Sequence, residues 1–163
     1  MAQSTSKVSL ADKLAETKLP GKESLLGTWK LVSSVGVYSD GRVIHPYGEK
    51  PEGMLVYDQQ GNFSGQIQGE GRPLFESGNL LKGDSKEIKA AFEGYVAYYG
   101  KYEVDKEAAS LTHQVQGSWF PNWVGNTQTR FYSFENGNLI LTTAPFVGKK
   151  NSVTHTLIWE RAD

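Results

Sequence analysis

The chain has 163 residues, with 17 Lys and Arg against 18 Asp and Glu and a formal net charge of −1. That length is most simply one domain with a real core, and charge without runs of either sign excludes the basic face that nucleic acid or an anionic membrane requires. Cysteine is absent, so disulfides and thiolate chemistry are excluded as well.

No stretch approaches the roughly 20 apolar residues of a membrane span. Met1 to Glu23 is polar and lacks the apolar run of a signal peptide. With no cysteine for an extracellular disulfide, the expectation is a cytoplasmic protein. Eighteen glycines and 12% aromatic residues fit an all-β fold, in which glycine serves turns and rings line a pleated interior. Residues 1–23 are expected to form a flexible N-terminal arm, with a weak helix near Leu10–Ala15, and residues 24–163 the domain proper.

Eight strands are predicted, at about 26–38, 53–58, 62–69, 94–105, 109–119, 127–135, 138–144 and 152–161. The first carries Trp29, Leu31, Ser33, Val35 and Val37 on one face, and Lys30, Val32, Ser34 and Gly36 on the other. In the third, Phe63, Gly65 and Ile67 oppose Ser64, Gln66 and Gln68, and either set suits a cavity. Before the fourth, Asp84 or Ser85 caps a short helix with Ile88, Ala91 and Phe92 at helical spacing and Gly94 as its stop. The helix either covers the mouth of the fold or packs outside it. In the fourth strand, Tyr98, Gly100, Tyr102 and Val104 point inward. In the fifth, Leu111, His113, Val115, Gly117 and Trp119 point inward against an entirely polar opposite set. The sixth leaves Thr129, Phe131 and Ser133 against Arg130, Tyr132 and Phe134 undecided. The eighth turns Val153, His155, Leu157 and Trp159 inward.

Connections alternate in length. Those at 58–62, 105–109 and 135–138 are tight and rich in Gly, Asn and Asp, while those at 39–52, 70–93, 120–126 and 145–151 are roomy. In an up-and-down antiparallel arrangement alternate connections lie at opposite ends. One end is then sealed by turns and the other is ringed by loops bearing aromatic, His and Arg residues: a cup for a small hydrophobic molecule.

The candidate chemistry follows from that cup. His113 and His155 sit mid-strand on the inward face, and His45 lies in a rim loop. A neutral His inside a cup is a general acid or base near neutral pH, or else a hydrogen-bonded structural group. Tyr98 and Gln66 are placed to polarise a carbonyl beside His113, making these three the candidate catalytic residues. Trp119, Asn122 and Trp123 crowd one short rim loop, which either closes over a ligand or packs against the helix or a partner subunit. Met54, Arg130 and Phe131 complete the candidate ligand-binding set, with Arg130 or Arg72 available to a carboxylate. There is no His-x-His pair and no inward carboxylate at ligand spacing, so neither a metal nor a cofactor is expected.

Gly27-Thr28-Trp29 opens the first strand and Trp159-Glu160-Arg161 closes the last, placing Arg161 where it can stack on Trp29. With stretches such as Gly53-Met54-Leu55-Val56-Tyr57, Gly94–Asp105 and Gly117–Gly125, the chain resembles the bacterial and fungal lipocalin-like domain family of the calycin superfamily over about residues 25–161. The resemblance implies an eight-stranded antiparallel up-and-down lipocalin-like barrel, with one short helix inserted between the third and fourth strands. Some similar barrels in secondary-metabolite pathways act as cofactor-free isomerases, cyclases or dehydratases. The resemblance therefore implies such an enzyme or, alternatively, a non-catalytic binder, carrier or self-resistance protein. A homodimer formed through the aromatic rim is a third expectation.

Overall fold

A computed structural model of the chain describes residues 20–148 and 150–162. Ten antiparallel strands form one sheet: β1 (Gly27–Tyr38), β2 (Val43–Ile44), β3 (Glu52–Tyr57), β4 (Asn62–Gln68), β5 (Tyr95–Asp105), β6 (Ser110–Ser118), β7 (Thr127–Glu135), β8 (Asn138–Thr143), β9 (Phe146–Val147) and β10 (Ser152–Arg161). Pairing of β1 with β10 closes the sheet into a barrel of eight staves, with β2 and β9 as two-residue additions at the open end. The eight predicted strands and the alternation of tight and roomy connections are all present. Residues 10–15, where a weak helix is expected, lie outside the described residues. No helix among the described residues is long and apolar enough to cross a membrane.

The tight end is sealed by a stack of aromatic groups. Trp29 is 1% exposed, and its indole N–H donates to the Leu25 carbonyl at 2.8 Å. The Arg161 guanidinium lies 3.9 Å above its ring and donates to the carbonyls of Ser24 (2.9 Å) and Leu26. Gly27 makes this clamp possible: its φ of +113° is left-handed, and a Cβ there would press on Arg161 Nη1 at 2.7 Å. The helical turn α1 (Lys22–Leu25) lies across this end, with Leu25 fully buried. The chain before it is tied down by a Tyr132 hydroxyl donating to the Pro20 carbonyl at 2.7 Å.

Two bulges decide which side chains face in. In β1, Leu31 pairs with Trp159 but Ser33 pairs with Ile158, so one extra residue enters at Val32. An extra residue reverses the alternation beyond it. Ser34 and Gly36 therefore join Trp29 and Leu31 on the inner side, where unbroken alternation would have put Ser33, Val35 and Val37. A second bulge places Gly100 opposite Val115 and Tyr99 opposite Gly117, which turns Gly117 outward beneath the Tyr99 ring. Gly100 has no alternative there, because a Cβ would collide with the Gln114 carbonyl. The two undecided strands are settled by burial: Phe63, Gly65 and Ile67 of β4, and Arg130 and Tyr132 of β7, are buried inward.

The predicted helix is α2 (Ser85–Glu93), begun by a capping box in which Asp84 accepts from the Lys86 and Glu87 backbone N–H groups while Glu87 accepts from the Asp84 N–H. It packs beside the rim rather than over the mouth. Phe92 lies against Trp119 with centroids 5.0 Å apart, and Ile88 is left exposed.

Candidate functional site

A cavity of about 240 Å³ opens at the loop-bearing end. Its rim is made by the connection from β6 to β7, where a 3-10 turn at Pro121–Trp123 brings two indoles together. Trp119 and Trp123 meet edge to face at 5.3 Å, and Trp123 meets Tyr98 in the same way at 5.5 Å. Trp119 is fixed from behind by donating its indole N–H to the Phe92 carbonyl at 3.0 Å. Trp119 therefore both lines the cavity and packs on α2, joining the two arrangements that the sequence of this loop allows.

The opposite wall comes from β1, β8 and β10 with the segment ahead of β3. On this wall Ser34, buried, is the direct cross-strand partner of Leu157, and Thr143, also buried, accepts from the His155 N–H at 3.0 Å. Pro46 and Tyr47 fill the gap where β1 and β3 part. Tyr47 is held by its carbonyl accepting from the Glu70 N–H at 2.9 Å. Burial raises the Tyr47 phenol above its ordinary pKa, helped by the neighbouring Tyr98. It stays protonated and available as a donor.

Arg130 enters from β7 only 9% exposed. Its guanidinium donates to the Thr129 carbonyl at 3.0 Å and to Gln128 Oε1 at 2.6 Å. Among the described residues it forms no ion pair, and no acidic side chain lines the cavity.

Beneath the cavity lies a buried polar chain. His113, 1% exposed, stacks on Phe63 with centroids 4.0 Å apart. The Tyr57 hydroxyl is 2.8 Å from its Nε2, and the Tyr98 hydroxyl is 3.4 Å from its Nδ1. Either tautomer donates to one phenol and accepts from the other. Burial, and secondarily the positive charge of Arg130, hold the imidazole well below its ordinary pKa. The same two causes lower His155. Burial also pushes the Tyr57 phenol well above its usual range.

The sign of the resulting pH dependence follows directly. A His that resists protonation when folded but titrates at 6.5 when unfolded lets the unfolded chain take up protons first as pH falls below 6.5. Stability is therefore full above that value and declines below it, by up to about 1.4 kcal/mol per pH unit for one such site. Urea midpoints measured between neutral pH and the onset of carboxylate titration are expected to fall in the wild type and to fall less steeply in His113→Gln. Equal slopes would contradict this account.

The structure brings together six of the residues singled out by sequence. Tyr98, Trp119, Trp123, Arg130 and His155 line the cavity, and His113 lies directly below it, bonded to Tyr98. The other six are placed elsewhere. Gln66 and Met54 pair across β4 and β3 on the outer face, because Phe63, Gly65 and Leu55 take the inner one. Phe131 is 46% exposed on the outer face of β7, since Arg130 and Tyr132 point in. His45 is exposed in its turn, with Pro46 and Tyr47 reaching the cavity instead. Asn122 is exposed and uses its carbonyl to accept from Asn126 Nδ2 at 2.9 Å. Arg72 lies over the Tyr95 ring, outside the cavity.

Several lining residues escaped the sequence reading. Thr143 was legible as the next position on the face that carries Leu139 and Leu141. Ser34 was not, because it depends on the bulge. Among the described residues no cluster of three metal-binding side chains occurs.

Comparison with known proteins matches the lipocalin-like domain family over residues 26–162. The chain is also similar to a 4'-hydroxy-3'-methoxypropiophenone carrier protein of Aspergillus oryzae. The two are 33% identical over 86 residues, which is 49% of this chain and 78% of that protein.

Proposed function

This chain belongs to the lipocalin-like domain family, and on that premise we propose that it is a carrier for a small oxygenated aromatic molecule, which it holds out of water without turning it over. The observation that carries this reading is the aromatic-walled cavity of about 240 Å³. An apolar cavity of about 150 Å³ is enough for benzene, so one substituted ring fits with room for short side groups. The indoles and Tyr98 offer faces and edges to that ring, while Arg130, His155, Ser34 and Thr143 offer a few polar contacts to its oxygens. The similar Aspergillus protein, named as a carrier of an aryl ketone, supports the same class of cargo.

A second reading, a cofactor-independent isomerase, cyclase or dehydratase, is favoured by one contact. Tyr98 borders the cavity and also lies 3.4 Å from His113, so a proton lent to a bound carbonyl has a route back through the imidazole. The length of that hydrogen bond and the burial of His113 weigh against it. Either reading places the protein in the handling of secondary metabolites.

The test is to titrate the protein with 4'-hydroxy-3'-methoxypropiophenone by calorimetry and then recover the ligand for mass spectrometry. A dissociation constant of about 100 μM or tighter is expected for a molecule of this size, with the ligand recovered unchanged. A product formed by the wild type and lost in Tyr98→Phe would install the enzymatic reading instead.

A further inference from the structure

Arg130 is the feature that simple shelter of a neutral ring does not use. Arg130 as a residue is 9% exposed, and a charge held in a barrel interior gives up hydration that a carboxylate ordinarily offsets. Here the two recorded partners are neutral oxygens, those of Thr129 and Gln128. The remaining walls supply hydroxyls, imidazole, rings and aliphatic groups, but no acid. The two histidines closest to this charge do not add to it, because burial and Arg130 itself keep both in the neutral form near neutral pH. Among the described residues the interior therefore carries one standing positive charge and no anion to answer it.

Arg130 borders the aromatic-walled cavity and also the outer recess formed by Trp123, Asn126 and Phe146 at the rim. A ring seated in this cavity shares its walls with Arg130. A planar fork of N–H donors matches a phenolate or carboxylate oxygen better than it matches a neutral carbonyl.

We propose that Arg130 is a counter-ion supplied in advance, and that the cavity selects small aromatic molecules in their oxyanionic form, as phenolate or carboxylate, over the neutral form of the same ring. This rests on the carrier reading of the cavity and names the chemical class that the cavity takes. In energetic terms the ligand completes an ion pair that the folded chain leaves half made. Discrimination against the neutral analogue arises because that analogue would fill the space and leave the charge unanswered.

The experiment uses the full chain and two matched pairs of probes on one ring: 4-nitrophenol with 4-nitroanisole, and 4-nitrobenzoate with methyl 4-nitrobenzoate. Affinities are measured by calorimetry. The ionisation of bound 4-nitrophenol is read from its phenolate absorbance, at the pH where half of the free phenol is ionised. The wild type is expected to bind at least one anion tenfold or more tighter than its neutral partner. If the phenolate is the preferred anion, binding also raises the ionised fraction of the phenol. In Arg130→Met the preference is expected to disappear and the ionised fraction to fall on binding, since a purely apolar cavity favours the uncharged form. Arg130→Lys keeps the charge without the fork and is expected to retain a reduced preference.

The pair that shows the preference tells phenolate from carboxylate. Equal or tighter binding of both neutral partners by the wild type would overturn the counter-ion role while leaving the carrier reading intact. An undiminished preference in Arg130→Met would overturn it too. Failure of all four probes to bind would overturn both. The wild-type comparison decides the matter even if a variant does not fold.

Discussion

Replacing Trp29 by alanine is expected to cost about 3–5 kcal/mol of stability, the usual consequence of emptying a buried aromatic site. The reasons are local and additive in kind. The ring is 1% exposed and packs against Phe134 at a centroid distance of 6.1 Å. Its loss also strips the Leu25 carbonyl of its indole donor and leaves Arg161 without the ring it covers. A domain of this size commonly has about 5–15 kcal/mol in total, so the variant should unfold at markedly lower urea and approach the edge of stability at body temperature. Trp29→Phe keeps a ring beneath the guanidinium and loses the N–H and part of the buried volume, so it should lie between the wild type and the alanine variant. Trp159→Phe is a useful contrast. The Trp159 indole N–H meets no acceptor among the described residues, so phenylalanine there removes a donor that contributes nothing. Urea unfolding followed by far-ultraviolet circular dichroism checks all three. A Trp29→Ala cost below about 1 kcal/mol would contradict the stopper role.

Ser34→Phe is expected to abolish ligand binding, lowering affinity at least a hundredfold, while leaving the barrel folded. Ser34 is 2% exposed and faces the cavity from β1, opposite Leu157. A phenyl group projecting from that position would occupy much of the 240 Å³ that the account assigns to the ligand. Because the new ring enters existing space instead of a packed interior, the overpacking penalty should stay at the low end of about 1–3 kcal/mol. Calorimetric titration beside a urea unfolding curve separates lost binding from lost structure. Unimpaired binding by a folded Ser34→Phe protein would place the ligand elsewhere.

The barrel was legible because its signals are periodic and local. Turn residues at Asp58–Asn62, Asp105–Ala109 and Glu135–Asn138 fixed the tight end, and the polar alternate positions of β6 fixed its inner face. The Trp29–Arg161 clamp was legible from the antiparallel order of the first and last staves. What failed to show was the pair of bulges. A bulge inserts one residue without changing the composition around it, so Val32 looks like any strand residue, yet it exchanges Ser33, Val35 and Val37 for Ser34 and Gly36 on the inner face. The exchange matters to function, since two small residues replace two valines and a serine beside His155, which leaves room for a cavity. Met54, Gln66 and Phe131 were misplaced for a related reason: on strands where both faces carry plausible lining residues, pattern alone does not choose. Arg130 is the informative reversal, a charged side chain turned inward while a phenylalanine beside it is turned out.

The most direct test of the cavity as the binding site follows the indole N–H resonances of the four tryptophans while 4'-hydroxy-3'-methoxypropiophenone is added to the labelled wild-type protein. Trp119 and Trp123 at the mouth are expected to shift in proportion to occupancy, while Trp29 in the sealed base stays in place. A saturable shift of Trp29 with Trp119 and Trp123 unmoved would contradict this expectation.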